Sequence, residues 1–284
     1  MSAMKISQLN QKGADLMDKA GIGSESEALL AGVLGIDKTE LYTGSENFVS
    51  QEDEKEYLTK VEERMSGVPL AYILGYKDFY NMRFAVNKST LIPRPETELI
   101  VDMVREIASV FKDRRLKIID IGTGCGNIII SVSEFIKNAD YFATDISLEA
   151  LNIAKVNAKN CGEANSISLV NTDVFGSFKK DLKFDIILSN PPYVPNRDFG
   201  ELQAEVLNEP VCALSGGSDG LDVIRSLISG AKIHLVCGGY LLFEIGFNQR
   251  AGVYNLLKNE GFTEIMFLKD IQSIERVAVC RNFS

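Results

Sequence analysis

The sequence contains a single histidine, His234, and none of its five cysteines is paired with another at CxxC spacing. One histidine inside the apolar pattern "AKIHLVCGGYLLFEIG" reads as a core or surface residue. It leaves nothing from which to build a Ser-His-Asp triad or a multi-histidine metal site. Cys125, Cys161, Cys212, Cys237 and Cys280 are odd in number and scattered, which suggests neither a disulfide framework nor a zinc cluster and suits free thiols in a reducing compartment. Long apolar runs are missing too. No segment approaches the ~18 uninterrupted apolar residues of a membrane span, and the start "MSAMKISQLNQKGADLMDKA" has no long apolar core after its lysine. A soluble, cytoplasmic protein without a membrane partner is expected. Positive charge is scarce: the net charge of −9 disfavours a grip on phosphate backbones, so no direct nucleic-acid binding is expected. A basic protein partner or a small substrate fits better.

What is present is enough apolar sequence, 45% of 284 residues, for a sizeable core in two unequal domains. Residues 1–67 read as a small helical domain. "SESEALLAGVLG" opens with a Ser24…Glu27 capping box, and "SQEDEKEYLTKVEERM" opens with Ser50…Asp53 ahead of periodic Tyr57, Leu58, Val61 and Met65. Residues 1–66 hold seven Lys and Arg against thirteen Asp and Glu, so most of the net negative charge sits there. That charge suits solubility, or a surface that recognises a basic substrate. Residues 68–92, "LAYILGYKDFYNMRFAVN" and its flanks, read as a β-hairpin linker. From 93 to 284 apolar strands near 117–121, 140–145, 166–170, 184–189, 239–245, 263–268 and 276–281 alternate with helices near 96–111, 127–137, 148–160, 220–235 and 249–260. The fold class expected is α/β: a seven-stranded, doubly wound, mostly parallel sheet, in which ligands bind beyond the carboxyl ends of the strands.

Three of those strand ends carry candidate binding residues. "LKIIDIGTGCGNIII" runs through Gly122, Thr123, Gly124, Cys125 and Gly126 into a helix, and glycines let a backbone turn sharply and approach a ligand. Its GxGxG spacing differs by one residue from the dinucleotide fingerprint, and alone it also fits a plain strand-to-helix turn. "YFATDIS" ends in Asp145 and Ile146, where a carboxylate can accept both hydroxyls of a ribose. "NTDVF" supplies Asp173 and Val174, which could border an adenine. Together they indicate a nucleoside site.

The fourth strand, "FDIILSNPPYVPN", ends in Asn190, Pro191, Pro192 and Tyr193. "DIGTGCGN", "TDIS", "NTDVF" and "SNPPY" together resemble the class I S-adenosylmethionine-dependent methyltransferases, which are Rossmann-like. "LIPRPETE", "NPPY", "EPVCALSGGSDGL" and "GGYLLFEIG", in this order, resemble more narrowly the HemK/PrmC release-factor glutamine methyltransferases, over nearly the whole chain. Ala71 and Ser273 depart from that pattern, where a glutamine and a glycine are usual. The resemblance implies S-adenosyl-L-methionine as cofactor, leaving as S-adenosyl-L-homocysteine, and no metal. It implies the glutamine of the Gly-Gly-Gln motif of class 1 peptide chain release factors as acceptor. Cofactor-binding residues would be Gly122, Thr123, Gly124, Cys125, Gly126, Asp145, Ile146, Asp173, Val174 and Asn190, and the catalytic and substrate-binding group Asn190, Pro191, Pro192 and Tyr193.

An amide nitrogen shares its lone pair with its carbonyl and is a poor nucleophile. Acceptors on both N–H bonds would aim it and favour the transition state. Asn190 offers a side-chain oxygen, and by resemblance the Pro191 carbonyl is the second acceptor, held rigid by the two prolines. Tyr193 would be a flat wall for the amide, and Arg94 and its neighbours would pack over the cofactor. The alternatives are a ribosomal-protein glutamine methyltransferase, an adenine-amino methyltransferase, which would have to extrude a base, a nicotinamide oxidoreductase and a silent adaptor.

Overall fold

The computed structural model describes residues 4–109, 111, 114–162 and 166–283. The chain divides into two compact units, one of residues 1–76 with 203–208 and one of 77–202 with 209–284.

The first unit is helical, with α1 (Ile6–Met17), α2 (Ser26–Leu34), α3 (Lys38–Thr43), α4 (Gln51–Met65) and α5 (Leu70–Leu74). Its core gathers Leu9, Leu29, Leu30, Tyr57 and Val61, all fully buried; Tyr57 and Val61 are one turn apart on α4, the spacing of a single helix face. Local caps fix the helix starts. Ser50 Oγ accepts the Asp53 N–H at 3.0 Å, and Asp37 and Glu40 cap α3 reciprocally. The box expected from Ser24 and Glu27 does not form. Ser24 lies in a 3₁₀ turn, Gly23–Glu25, and α2 starts at Ser26, whose hydroxyl donates to the Asn10 carbonyl at 2.8 Å and meets the Tyr57 hydroxyl at 2.6 Å. Those buried contacts decide the helix start in place of an exposed cap. Buried Arg64 pairs with Glu25 at 2.6 Å and with Glu205, so residues 203–208 are tied to this unit by charge.

The stretch 68–92 is not a hairpin throughout. It opens with α5, five good helix formers closed by Gly75 at φ 79°, a left-handed stop that glycine adopts without a Cβ penalty. The hairpin follows as β1 (Tyr76–Phe79) and β2 (Met82–Ala85). Both of its turn residues, Tyr80 and Asn81, have positive φ, the twist that a two-residue hairpin turn requires.

The second unit is built on a seven-stranded sheet of β3 (Leu116–Ile121), β4 (Ala139–Asp145), β5 (Ile167–Asn171), β6 (Phe184–Ser189), β7 (Leu235–Glu244), β8 (Thr263–Lys269) and β9 (Glu275–Asn282). The order is β5-β4-β3-β6-β7-β9-β8, parallel except for β9, which runs antiparallel to both neighbours. α6 (Glu98–Ala108), α7 (Asn127–Phe135), α8 (Leu148–Asn160), α9 (Val211–Leu214), α10 (Asp222–His234) and α11 (Arg250–Asn259) accompany it. α6 buries Ile100, Val101, Val104 and Ile107, a stripe of helical period. Every residue of β6 is buried, as a central parallel strand requires. His234 is a core residue: its ring stacks on Phe175 with centroids 4.8 Å apart and Nδ1 lies 2.9 Å from the Leu182 carbonyl.

The strand order positions the site. From β3 the chain winds outward to β4 and β5 on one side and to β6 and β7 on the other, so the connections leaving β3 and β6 diverge and open a crevice. Register places Ile121 opposite both Thr144 and Ser189. Gly122, Asp145 and Asn190 are the residues that follow those three, so they leave the sheet side by side.

Candidate active site

One pocket gathers residues from all these strand ends, including Gly122, Gly124, Asp145, Asp173, Asn190 and Pro191. Its loop half is set by backbone geometry. Gly122 and Gly124 have φ of 70° and 57°, and a Cβ added to either would meet no protein atom. The loop is therefore left-handed and bare where it borders the pocket, and suits close approach by a ligand. Asp145 braces it, Oδ2 accepting the Gly124 N–H at 2.8 Å and Oδ1 the Ser147 N–H at 2.9 Å. Each oxygen keeps a further lone pair. Burial pushes the Asp145 carboxyl above its ordinary range, and the two backbone donors work against that.

Below the loop, Thr123 Oγ1 donates to Asp120 Oδ2 at 2.6 Å, and Asp120 Oδ1 is buried without a hydrogen-bond partner among the described residues. Burial raises the Asp120 carboxyl to about 7, with Asp145 adding to the effect. Burial likewise pushes the Cys125 thiol up to about 12, so it is neither a thiolate nor a nucleophile.

On its other side Thr97 and Asn190 line the pocket, and a chain of side chains runs back from them. Asn190 Nδ2 donates to Thr97 Oγ1 at 3.2 Å, Thr97 Oγ1 donates to Glu244 Oε2 at 2.5 Å, and the Tyr193 hydroxyl donates to Glu244 Oε1 at 3.0 Å. Thr97 and Glu244 are almost completely buried, and Asn190 Oδ1 is buried with no hydrogen-bond partner among the described residues. An unpaired buried acceptor costs about 1–3 kcal/mol. Burial raises the Glu244 carboxyl, and its two hydroxyl donors oppose the rise. The nearby Glu244 charge, then burial, raise the Tyr193 phenol far beyond its usual range; it stays a donor. Among the described residues, no hydrogen bond is made to the Pro191 carbonyl.

The strand exit is clamped from the far side. The Val194 N–H donates to Leu214 O at 2.8 Å, the Gly216 N–H to Val194 O at 2.9 Å, and Gln249 Nε2 to Tyr193 O at 2.9 Å. A Cβ on Gly220 would fall 2.4 Å from the Tyr193 carbonyl, so that glycine is needed for close approach of two backbones. The segment "CALSGGSDG" thus acts as a brace for the exit.

The pocket is bordered by Gly122, Thr123, Gly124, Cys125, Asp145 and Ile146, and by Asp173, Val174, Asn190, Pro191 and Pro192. Two expected residues are not on it. Gly126 caps α7 at φ 84°, where a Cβ would sit 2.9 Å from Ile130 and 3.3 Å from Ala154; its glycine serves helix packing. Tyr193 packs against the core, with its hydroxyl on Glu244. Arg94 is also off the pocket. It pairs with buried Glu209, which further accepts the Ile92 N–H at 2.9 Å, and it is Leu91, Pro93 and Thr97 of that segment that reach the lining. Thr97 and Glu244 were not singled out from the sequence. The available signal was Glu244 itself, a carboxylate inside the apolar strand "YLLFEI".

No Lys, Arg or His lines the pocket among the described residues, while Asp145 and Asp173 do. The field suits a cationic ligand better than a pyrophosphate, which favours positive charge.

A family model described as the methyltransferase small domain matches residues 97–215, and one described as the PrmC N-terminal domain matches residues 8–75. The chain is 34% identical over 280 residues to a release factor glutamine methyltransferase of Rhodopirellula baltica, covering 96% of this chain and 94% of that protein. It is 35% identical over 278 residues to one of Francisella tularensis, covering 97% of each. Among solved structures, the hMettl16 catalytic domain in complex with a MAT2A 3′UTR hairpin matches with a TM-score of 0.59 at 16% identity, over 83% of this chain and 82% of that one, a likeness of fold.

Proposed function

The chain belongs to the release factor glutamine methyltransferase family, and from that premise we propose that it methylates the side-chain amide nitrogen of the glutamine in the Gly-Gly-Gln motif of class 1 peptide chain release factors. The observation that carries the reading is Asn190 Oδ1, without a hydrogen-bond partner among the described residues, at the edge of a pocket with a glycine loop and, among the described residues, no cationic side chain. S-adenosyl-L-methionine, when bound, supplies an electrophilic methyl group on a sulfonium. The residues present fit it: a bare left-handed loop at Gly122 and Gly124, free lone pairs on Asp145 for ribose hydroxyls, Asp173 and Val174 for the base, and negative charge for a cation.

Asn190 Oδ1 accepts one N–H of the substrate amide and the Pro191 carbonyl accepts the other. With both N–H bonds held, the nitrogen is aimed at the methyl carbon, and the positive charge that grows on it meets two fixed dipoles. Those dipoles are already oriented, Asn190 by Thr97 and the exit backbone by Val194 and Gln249. No strong base is required, because the methylated amide in its cationic form gives up its proton readily. The acidic first unit supplies a surface for a basic face of the protein substrate, and the work is cytoplasmic. No helix among the described residues is long and apolar enough to cross a membrane.

The test is incubation with methyl-labelled S-adenosylmethionine and a mixture of a class 1 release factor and ribosomal proteins, followed by mapping of the label by mass spectrometry. Label on the Gly-Gly-Gln glutamine is expected. Label confined to a ribosomal protein would transfer the assignment to that substrate.

A further inference from the structure

The proposed role of Asn190 leaves a question that the site itself answers. A carboxamide has an oxygen end and an NH₂ end of nearly the same shape, and a rotation about one bond exchanges them. Only the oxygen end can accept a substrate N–H. Something must make one orientation far better than the other.

We infer that Glu244, acting through Thr97, is a positioning pair that fixes which end of the Asn190 carboxamide is left for the substrate. The inference rests on the reading of Asn190 as an acceptor of the substrate amide. The hydroxyl of Thr97 donates to Glu244 Oε2 at 2.5 Å, which commits its single hydrogen to Glu244. The Thr97 oxygen then offers only lone pairs, and what lies 3.2 Å away on Asn190 must be a donor. Of the two ends of Asn190, only the NH₂ donates. The carboxamide is locked with Nδ2 on Thr97 and Oδ1 without a partner among the described residues. The opposite orientation would set the Asn190 oxygen against an oxygen whose hydrogen is already committed, two acceptors in contact in a buried place. Burial strengthens that discrimination, since Thr97 is 1% and Glu244 2% exposed and low local polarity raises the cost of a mismatched contact. Glu244 is held from its other side by the Tyr193 hydroxyl at 3.0 Å. Glu244 thus accepts a hydroxyl at each of its two oxygens. The pair joins two segments, "LIPRPETE" and "GGYLLFEIG", to the strand end they serve; Thr97 lines the pocket and Glu244 stands behind it.

The experiment is a double-mutant cycle in single-turnover methylation of a glutamine-containing release factor, with S-adenosylmethionine affinity by calorimetry and a thermal melt for each variant. Thr97→Val removes the hydroxyl at constant shape and should slow turnover about ten-fold or more, with cofactor affinity changed less than about two-fold; Thr97→Ser, which keeps the hydroxyl, should restore the rate. In an Asn190→Ala background, Thr97→Val should cause no further loss, because there is no carboxamide left to orient. Equal losses with and without Asn190, or a folded Thr97→Val protein with normal turnover, would overturn the inference. A normal rate in Asn190→Ala itself would instead remove the reading of Asn190 on which it rests.

Discussion

The two halves of the pocket are built on opposite plans. The loop half is backbone: Gly122 and Gly124 in left-handed geometry, with Asp145 bracing the turn through two peptide N–H groups. The half proposed to take the acceptor is side chain: Asn190 and Thr97 on the pocket, with Glu244 and Tyr193 behind them, in one hydrogen-bonded chain drawn from three separate segments. Each half also hides a carboxyl group, and the two are used differently. Asp120 has one oxygen on Thr123 and one without a partner among the described residues, whereas both oxygens of Glu244 accept a hydroxyl. Backbone fixes a shape that tolerates little change, and a ligand common to many enzymes can use it. A side-chain relay fixes a direction, which is what an acceptor amide requires.

The largest effect outside the acceptor half is expected from Asp145→Ala. It removes the bonds proposed for the ribose and the brace on Gly124 together, so calorimetry should show cofactor affinity lower by roughly two orders of magnitude or more, as for loss of two charge-assisted hydrogen bonds. Unchanged affinity would mean that the loop half holds the ligand without Asp145.

Asp120 gives a pH signature. Its folded value of about 7 lies above the ordinary carboxyl value of 3.8, so between about pH 4 and pH 7 the folded chain keeps a proton that the unfolded chain has released. The contribution to stability is therefore greatest at low pH and is lost as pH rises through about 7, by about 4 kcal/mol for a shift of this size. Melting curves of the cofactor-free protein should show Asp120→Asn losing less stability than the parent across that window. Parallel curves for the two proteins would show that the buried carboxyl is not protonated there.

Ser273 should have the smallest effect and touch neither half. It sits in the turn between β8 and β9 with φ 65°. Ser273→Gly should raise stability by about 0.5–1 kcal/mol, since a non-glycine residue pays a Cβ penalty in that region. Cofactor affinity and turnover should not move, and a change in either would tie that turn to the pocket.

The same contrast explains what could be read before the fold was known. Strand periodicity and a contiguous glycine loop are local signals, so the seven strands and residues 122–125 were legible, as was Asp145 at a strand end. Gly126 looked like part of the same loop because sequence cannot separate a glycine that faces a ligand from one wedged against Ile130 and Ala154. Thr97 and Glu244 lie 147 residues apart and meet only in the folded chain. Nothing at either position announces the other. Ser24 failed as a cap for a related reason, since the buried hydroxyl of Ser26 found Asn10 and Tyr57 through tertiary packing. Arg94 was drawn to a buried carboxylate, Glu209, 115 residues away.

The division of labour between the two halves is tested most directly by Asn190→Ala, measured in single-turnover methylation of a glutamine-containing release factor alongside cofactor affinity and a thermal melt. Turnover should fall by roughly 10²–10³, the loss that follows removal of one preorganised polar contact to a transition state, while the melt and the affinity for S-adenosylmethionine stay near those of the parent. A well-folded variant that methylates at a near-normal rate, or one that loses cofactor affinity in proportion to its rate, would contradict the account.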